Sequence, residues 1–494
     1  MATPNFHARL LAAVPDGDAA HTLPSAAALS NASASLPRPE AEGYLSPLGT
    51  EATLSHILDE IVPGLNGQAR SGRYYGFVTG GTLPVAEAAD NIVTALDQNV
   101  QVHLPSQTVA TELESVALRM LADLLDLEPR KGGADGEVWK GRTFTTGATT
   151  SNILGLACGR EAVVEKRGEK VGEDGLLGAC VAAGIREIQV LTSMGHSSLS
   201  KAASVVGLGR SSVKELRVSA DEPWKLDLQA VERELAREGV ASIIAVSAGE
   251  VNTGRFAMGG LEEMRKLREL ADRFGAWIHV DGAFGIFARA LDDTPEFRGI
   301  KAAAAGLELA DSITVDGHKL LNVPYDCGMF FTRSLSTLTS VFTNPNAAYL
   351  SSGPSSIPSP LNIGLENSRR FRALPAYAVL RSEGRSGLAA ILGRMVLLAR
   401  KIAQWIRESE AYELLPEGDW SLDETHMIVL FRARDDGLND KLVERINATR
   451  QMYVSGTSWK GRKAVRVAVG TWRVDVERDF DAVTKVLGQV AGSQ

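Results

Sequence analysis

Two spacings of hydrophobic residues alternate along the middle of the chain, and their alternation predicts strands separated by helices. Short apolar runs typical of buried strands lie at 142–146, 187–192, 242–247, 277–280, 312–315 and 328–332. Apolar residues three and four positions apart predict helices at 150–166, 197–206 and 261–274. Strands that alternate with helices indicate a mainly parallel sheet with helices on both faces. The predicted fold class is therefore α/β.

The pattern differs on the N-terminal side of this region. Residues 15–42 are rich in Ala, Ser and Pro, which predicts an extended or poorly ordered lead-in. Helical spacing then appears at 49–62, where Pro63-Gly64 ends it, and again at 108–127. We expect residues 1–105 to form a lead-in and helical arm, and residues 106–360 to form the large α/β domain.

The hydrophobic pattern changes again after the stretch at 351–360, which is rich in Pro and Ser. A long helical region at 373–408 leads to strand-like runs at 427–431 and 464–469, and a helix is predicted at 476–490. This order predicts a smaller α+β domain over residues 361–494, a length within the usual domain range.

Composition narrows the class of protein. Of the 494 residues, 44% are hydrophobic and 23% are charged, as in ordinary globular proteins. The net charge of −8 does not favour binding to nucleic acid or to an anionic membrane. The three cysteines are widely spaced and odd in number, so neither a disulfide framework nor a metal site is expected. No apolar run reaches the length of a membrane span, and no secretory signal is evident. We expect a cytoplasmic enzyme with no metal, no nucleic-acid partner and no membrane partner.

Two charged residues follow neighbouring predicted strands. Lys319 comes after the run 312–315 and directly after His318, and Asp281 directly follows the run 277–280. A lysine that forms a Schiff base and a carboxylate that holds a pyridine nitrogen are the groups that pyridoxal 5'-phosphate (PLP) requires from a protein. Most lysines are solvated surface charges, and a carboxylate here also suits a structural salt bridge or helix cap. The prediction therefore depends on other residues.

Two further strand–helix junctions carry polar residues. The segment 145–152 (Thr-Thr-Gly-Ala-Thr-Thr-Ser-Asn) offers hydroxyls, small residues and a helix N-terminus, which suit a phosphate; a helix cap that binds nothing is the alternative. His196 lies where the second strand meets its helix, at the edge of a parallel sheet where ligands collect. An isolated histidine at such a place is more often a cap or a core contact.

Taken together and in order, these motifs resemble the group II PLP-dependent amino-acid decarboxylases, the family of aromatic amino-acid and glutamate decarboxylases. The resemblance runs from about Leu45 to the end of the chain. Its strongest parts are His279-Val-Asp-Gly-Ala-Phe-Gly285 and the segment 310–319 (Ala-Asp-Ser-Ile-Thr-Val-Asp-Gly-His-Lys). Other matches lie at 111–114, 195–203, 369–374 and 465–473.

The resemblance implies a fold-type I PLP-dependent enzyme that forms a homodimer and acts on an amino acid as its small-molecule substrate. It implies that Lys319 forms the Schiff base with the cofactor, and that Asp281 holds the pyridine nitrogen. It places His196 on the cofactor ring, facing the substrate carboxylate. It assigns the remaining cofactor contacts to Gly147, Ala148, Thr149, Ala283 and His318.

Tyr349 lies in a polar, proline-containing stretch that is typical of a loop. In the resembling family, a tyrosine on a mobile loop near this point returns a proton to Cα after CO₂ leaves. Relatives with phenylalanine there consume oxygen and release aldehydes, so the resemblance implies simple decarboxylation. The alternative is an aromatic residue that only docks on the surface.

Two departures from the family concern the substrate. The chain has Asn99-Val-Gln-Val-His103 where the aromatic decarboxylases carry aromatic residues, and Glu250-Val-Asn-Thr-Gly254 where they commonly carry two threonines. We expect decarboxylation of an L-amino acid to its amine, with tyrosine or tryptophan as the first candidates and a more polar substrate as the second.

Three alternatives remain from the sequence. The same cofactor supports oxidative deamination to an aldehyde, or aldol or transamination chemistry. A catalytically silent protein that keeps the PLP fold for binding is an alternative of another class. A dinucleotide-binding dehydrogenase is disfavoured, because no glycine fingerprint follows the first strand.

Overall fold

The structure is a computed structural model that describes residues 8–9, 21–128, 138–345 and 357–492. The α-helices of these residues are, from Ala26 onward, α1 (Ala26–Ser35), α2 (Thr50–His56), α3 (Pro84–Leu96), α4 (Ala110–Leu124), α5 (Ala148–Glu165), α6 (Val171–Ala182), α7 (Ser197–Val205), α8 (Leu228–Leu235), α9 (Leu261–Phe274), α10 (Arg298–Ala303), α11 (Gly317–Leu320), α12 (Leu335–Phe342), α13 (Ala373–Ser382), α14 (Gly384–Glu408), α15 (Asp436–Ala448) and α16 (Val476–Gly492). The strands are β1 (Gly141–Thr145), β2 (Glu187–Thr192), β3 (Val213–Glu215), β4 (Val240–Ser247), β5 (Trp277–Asp281), β6 (Ser312–Asp316), β7 (Gly328–Thr332), β8 (Tyr412–Leu415), β9 (Ile428–Ala433), β10 (Ser455–Trp459) and β11 (Arg462–Ala468).

Seven strands form the larger sheet, in the order β1-β7-β6-β5-β4-β2-β3. The pairs β2–β3, β2–β4, β4–β5 and β5–β6 are parallel, whereas β7 is antiparallel to both β1 and β6. The predicted α/β class with a mainly parallel sheet is confirmed. The antiparallel strand arises because only a short connection, 321–327, separates α11 from β7, and a parallel crossover needs a dozen or more residues.

Helix α5 packs against this sheet and is buried around most of its circumference. Leu154, Leu156 and Cys158 are fully buried in a hydrophobic core that also contains Val190 of β2 and Ile243 of β4. The strands β6 and β7 are buried along their whole length, as continuous apolar runs in a covered sheet require. The core thereby fixes the strand ends that carry the polar residues.

By internal contacts the chain divides into two compact units, and the larger one comprises Thr82–Val396 and Pro416–Ile428. The other comprises Met1–Gly81, Leu397–Leu415 and Val429–Gln494. It contains a four-stranded sheet of order β10-β11-β9-β8, in which β10–β11 and β8–β9 are antiparallel. The domain boundaries drawn from the sequence at 105 and 360 stay a prediction.

The extended or poorly ordered conformation predicted for 15–42 is wrong for Ala26–Ser35. Residues Ala26–Ser35 form α1, which begins where the Ser25 hydroxyl accepts a hydrogen bond from the amide of Ala28 at 3.1 Å. A serine N-cap and a run of alanines favour a helix, and Ala32 is buried. Composition alone missed this helix because alanine and serine are also common in poorly ordered segments.

Two predicted helices differ from the structure in detail. The region 373–408 is two helices, α13 and α14, which are separated at Glu383. The helix predicted at 49–62 is an α-helix only as far as His56, followed by a π-helical turn at Ile57–Ile61. None of the helices described in the structure is both long enough and apolar enough to cross a bilayer.

Candidate active site

Six strands of the larger sheet, β1 to β6, end at the same edge, and four of them end on, or are followed by, a residue that the sequence singled out. Strands β2, β5 and β6 run parallel within the sheet, and β1 shares their direction because both β1 and β6 are antiparallel to β7. The residues after these strands are Gly147 after β1, His196 after β2 and Lys319 after β6, and Asp281 is the last residue of β5. The carboxyl edge of such a sheet is where ligands bind in α/β proteins.

Lys319 lies in the short helix α11 and is held by a neighbour rather than solvated. Its Nζ is 3.0 Å from Oδ2 of Asp316, and the exposed fractions of the two side chains are 19% and 2%. The ammonium group also lies 5.7 Å from the centre of the Phe284 ring. Asp316 is the last residue of β6 and was not among the predicted site residues. The Asp316 carboxylate therefore holds the side-chain amine of Lys319 in place.

His318 is packed between the backbone and an aromatic ring. Its Nδ1 accepts a hydrogen bond from the amide of Cys327 at 3.2 Å, and its ring stacks on Tyr325 with centroids 4.5 Å apart. Its Nε2 is 3.6 Å from Oδ2 of Asp316. Burial lowers the pKa of His318, although the charge of Asp316 opposes this shift. The neutral ring therefore predominates near neutral pH.

The segment that leads from Lys319 to β7 is fixed by an arginine. Arg372 donates to both carboxylate oxygens of Asp326, at 3.0 and 3.1 Å. Burial alone would raise the pKa of Asp326, but the hydrogen bonds and charge of Arg372 outweigh it and lower that pKa. This bidentate contact restrains the residues on which His318 stacks.

The turn between β1 and α5 has the features of an anion site. Gly147 precedes the helix with φ of +149°, and a Cβ there would lie 2.9 Å from Cε1 of His318. The first amides of α5, including those of Ala148 and Thr149, have no acceptor within the helix. Such amides, together with the positive end of the helix dipole, bind phosphate groups.

Asp281 has two hydrogen-bond donors in the structure. The side-chain amide of Asn152 donates to its Oδ2 at 2.9 Å, and the backbone amide of Ala283 donates to its Oδ1 at 3.3 Å. The side chain is only partly buried, so its carboxylate stays within reach of a ligand. The structure therefore brings the predicted site residues Ala283 and Asp281 into contact.

Asn152 joins Asp281 to His196 through one hydroxyl group. Its Nδ2 also donates to Oγ of Ser198 at 3.2 Å, and that Oγ lies 2.7 Å from Nδ1 of His196. Neither Asn152 nor Ser198 was among the predicted site residues. The buried part of α5 begins with the polar residues Ser151 and Asn152, but the sequence alone does not show that they are buried.

These residues fit PLP by the chemistry of their donors. The edge of the sheet offers a primary amine at Lys319, a carboxylate at Asp281, a helix N-terminus at Ala148 and an imidazole at His196, which are the groups that this cofactor requires. Tyr349, the remaining predicted residue, lies outside the residues that the structure describes.

Comparison with known families agrees with this chemistry. The model of the pyridoxal-dependent decarboxylase conserved domain matches residues 54–434. The chain belongs to the pyridoxal-dependent decarboxylase family. Its cofactor is pyridoxal 5'-phosphate, and it is an amino-acid decarboxylase by family.

Individual relatives within the family differ in what they act on. The chain is 27% identical to L-2,4-diaminobutyrate decarboxylase of Acinetobacter baumannii, over 74% of the chain and 68% of that protein. It is 27% identical to tryptophan decarboxylase 1 of Oryza sativa subsp. japonica, over 87% of the chain and 81% of that protein. It is 24% identical to 4-hydroxyphenylacetaldehyde synthase of Rhodiola rosea, over 90% and 85% respectively.

A solved structure from the family shares the fold. The crystal structure of Oryza sativa TDC with PLP and tryptamine matches 96% of this chain and 93% of its own, with a TM-score of 0.77 and 23% identity. At this identity the match shows the fold, and it confirms the predicted fold-type I architecture of the decarboxylase family.

Proposed function

We propose that this enzyme removes CO₂ from an L-amino acid and releases the corresponding amine. The observation that carries the proposal is the buried contact of Lys319 with Asp316, at the sheet edge where Asp281 also lies. When bound, PLP supplies an electron sink for the electron pair that remains when the bond to CO₂ breaks.

The residues of the sheet edge have separate roles in this proposal. Lys319 would hold the cofactor covalently, and Asp281 would hold its pyridine nitrogen. The amides that begin α5, after Gly147 and including Ala148 and Thr149, would hold its phosphate. His196 would pack on the ring, while Ala283 and His318 would complete the pocket; Ala283 does so by supporting the Asp281 carboxylate.

Asp316 has a further role that the geometry supports. Its Oδ2 forms an ion pair with Nζ of Lys319 at 3.0 Å, so the amine keeps a fixed position at the end of β6. A side chain held in one position reacts faster than a mobile one, because the orientation is already set. Asp316 is therefore a positioning residue for the amine.

The choice of substrate is open between two chemical classes. The relatives include one named for diaminobutyrate and one named for tryptophan. The polar run 99–103 is engaged within the protein: Asn99 bonds to the backbone of Arg369 at 3.0 Å, and His103 bonds to Thr111 at 2.8 Å. Because these groups have partners, the run itself does not favour a polar substrate, and an aromatic L-amino acid stays the first candidate.

One observation favours a second reaction, the oxidative conversion of the amino acid to an aldehyde. A relative that covers most of the chain is named as an aldehyde synthase. Such a reaction consumes O₂ and water and yields aldehyde, CO₂, ammonia and hydrogen peroxide. Tyr349 supports decarboxylation to the amine instead, because a phenol can return a proton to Cα.

The test is product analysis with the purified holoenzyme. It is incubated with a panel of L-amino acids, with and without oxygen, and CO₂, amine, aldehyde and peroxide are measured. We expect amine and CO₂ in equal amounts under both conditions, and neither from Lys319→Ala. Aldehyde and peroxide without amine would overturn the proposal in favour of the second reaction. A visible cofactor spectrum that no amino acid perturbs would favour a silent binding protein.

Two further properties belong to this proposal. The resemblance to the decarboxylase family supports a homodimer, which the mass of the native protein in solution would test. The sequence supports a cytoplasmic location, which fractionation of the source cells would test. A small-molecule amino acid is the only partner that the proposal requires beyond the second subunit.

A further inference from the structure

A chain of buried polar groups begins behind the site, at strand β5. The indole N–H of Trp277 donates to Oγ of Ser312 at 2.9 Å, and that Oγ lies 2.8 Å from Nδ1 of His279. The Nε2 of His279 lies 2.9 Å from Oδ1 of Asn152. His279 is fully buried, and burial lowers its pKa to about 4, despite the opposing charge of Asp281. This imidazole is therefore neutral near neutral pH.

The donors and acceptors of this chain can be assigned. A carboxylate only accepts hydrogen bonds, so the Asn152 atom that faces Asp281 is the amide nitrogen. The opposite atom is then the carbonyl oxygen, which accepts from the Thr314 hydroxyl at 3.0 Å and from His279. The proton of His279 consequently lies on Nε2, and its Nδ1 accepts from the Ser312 hydroxyl.

The same reasoning continues from Asn152 to His196. One amide hydrogen of Asn152 is directed at Asp281, and the other at Oγ of Ser198. Since Ser198 accepts there, its own hydrogen is available for Nδ1 of His196, at 2.7 Å. The backbone amide of Ser198 also donates to that Nδ1, at 3.1 Å. Nδ1 is an acceptor in both contacts, so the neutral ring carries its hydrogen on Nε2.

We propose that Asn152 is a positioning residue that fixes the orientation of the Asp281 carboxylate and, through Ser198, holds His196 as its Nε2–H tautomer. The inference rests on the proposed function, which assigns Asp281 to the cofactor nitrogen and His196 to the ring. Asn152 is fully buried, and both ends of its amide are engaged, so it has one orientation. A donor to Oδ2 fixes the direction of the Asp281 carboxylate, and a donor to Nδ1 leaves Nε2–H of His196 free to donate to a substrate carboxylate.

Replacing Asn152 with aspartate separates this role from simple packing. Asn152→Asp keeps the shape but places a second carboxylate oxygen against Oδ2 of Asp281, which is 2.9 Å away in the native contact. Two such carboxylates share one proton, so the pKa of the pair is raised. Below that pKa the shared proton replaces the lost amide hydrogen; above it the two charges repel. We expect the affinity for PLP to fall at least tenfold as pH rises from about 5.5 to about 8.5, with a smaller change in the native enzyme.

Asn152→Leu and a matched control complete the first experiment. Asn152→Leu has no donor and no titrating group, so its PLP affinity should be reduced at least tenfold at every pH. Asn439→Leu is the control, because Asn439 is also buried, and its amide bonds to the backbone of Ala433 and Lys463. PLP affinity is measured by the absorbance and fluorescence of the bound cofactor, independently of turnover. The control should bind PLP as the native protein does.

Ser198 tests the second part of the proposal. Ser198→Ala leaves the contact between Asn152 and Asp281 intact, so we expect PLP affinity within threefold of the native value. The loss of the donor to His196 should lower kcat/KM at least tenfold, and Ser198→Thr, which keeps the hydroxyl, should recover most of that loss.

The outcomes distinguish this inference from the proposed function. A native protein that binds no PLP or releases no CO₂ would overturn the proposed function. A native protein that does both, together with an Asn152→Asp variant whose PLP affinity has the native pH dependence, would overturn the role of Asn152. Equal kcat/KM for Ser198→Ala and native enzyme would overturn the link to His196.

Discussion

At the scale of single residues, the sequence could indicate site residues that belong to a local pattern. It could not indicate contacts between residues that are distant in sequence. Lys319 and Asp281 each come at the end of an apolar strand, and this local pattern made them candidates that the other motifs of the chain then supported. Asn152 and Asp281 are 129 residues apart in sequence, so no local pattern could pair them. The partner of Lys319, Asp316, is close in sequence, but its role depends on a burial that only the folded strand provides.

The product of the reaction should depend on the hydroxyl group of Tyr349. A phenol that returns a proton to Cα contributes about 10²–10⁴ in rate, as general acids do. We expect Tyr349→Phe to lower the yield of amine at least tenfold, and to release aldehyde, ammonia and peroxide while oxygen is consumed. The amine, the aldehyde and the oxygen uptake are measured together.

A second tyrosine provides the control for this change. Tyr44 is 43% exposed, and Tyr44→Phe also removes one phenol. Its products should match those of the native enzyme. If Tyr349→Phe also gives native products, the proposed role of this tyrosine is wrong, while decarboxylation itself is unaffected.

Stability toward acid should depend on His279. The pKa of this imidazole is lowered from 6.5 to about 4 in the folded protein, because burial disfavours the charged ring. The unfolded chain therefore binds more protons between these values, and stability falls as pH drops through this window. The burial of His318 shifts its pKa in the same direction. We expect a loss on the order of 3 kcal/mol from His279 between about pH 7 and pH 4.

Urea unfolding at a series of pH values measures this effect. His279→Gln retains an amide that can donate to Asn152 but has no group that titrates in this window. Its stability at neutral pH should be lower, and the decrease in stability toward pH 5 should be smaller than in the native protein. The same decrease in both proteins would exclude His279 as its source.

At the scale of elements, the period of the hydrophobic pattern predicted most strands of the larger sheet and the helices between them. The antiparallel direction of β7 was not accessible from that pattern, because period and burial are the same for either direction. Helix α1 was missed for another reason: its stability comes from a cap at Ser25 and from the burial of Ala32, and composition reports neither.

The packing of α5 on β5 should tolerate no added methyl group at Gly155. A Cβ at this position would lie 2.3 Å from Cε1 and 2.4 Å from Nδ1 of His279, whose ring is held at both nitrogens. Gly155→Ala must therefore shift the helix or break the hydrogen bonds of the ring. We expect a loss of about 1–3 kcal/mol in the free energy of unfolding, as for other overpacked sites, and weaker PLP binding.

Gly178 of α6 is the matched control for Gly155. A Cβ at Gly178 would meet no heavy atom within 4 Å, and the residue lies within a helix. Gly178→Ala should therefore stabilise the protein by about 0.5–1 kcal/mol, because alanine favours the helix. Thermal unfolding and PLP titration of both variants make the comparison. A Gly155→Ala variant as stable as the native protein would show that α5 and His279 can move apart without cost.

At the scale of the whole molecule, contacts between distant parts of the chain limited what the sequence could reveal. Arg73 and Asp479 are 406 residues apart, and they form an ion pair of 3.0 Å in which the carboxylate is fully buried. The compact unit that contains them is assembled from three separate segments of the chain. No pattern along the sequence joins these segments, whereas six of the seven strands of the larger sheet could each be recognised from their own residues.

The exposed apolar residues of 29–116, called the N-terminal part below, provide a test of the proposed homodimer. Most of the exposed large hydrophobic side chains in the described part of the chain lie between Leu29 and Val116, with Leu45 at 87% and Leu48 at 66%. Contiguous exposed apolar patches mark protein–protein contacts, and we select these residues as the candidates for such a patch. Burying one leucine contributes about 1.5–3 kcal/mol, so two aspartates in place of Leu45 and Leu48 should weaken a dimer by at least tenfold in Kd.

Light scattering after size exclusion, across a range of protein concentrations, measures the mass. The native enzyme should have twice the mass of the chain, and the double variant should become a monomer on dilution. Leu177→Asp is the control, because Leu177 is also 80% exposed but lies on α6, outside the N-terminal part. It should keep the native mass. A native monomer would contradict the homodimer, and equal dissociation of the control would show that the effect comes from added charge. Dissociation of the double variant alone would place the subunit contact at the N-terminal part.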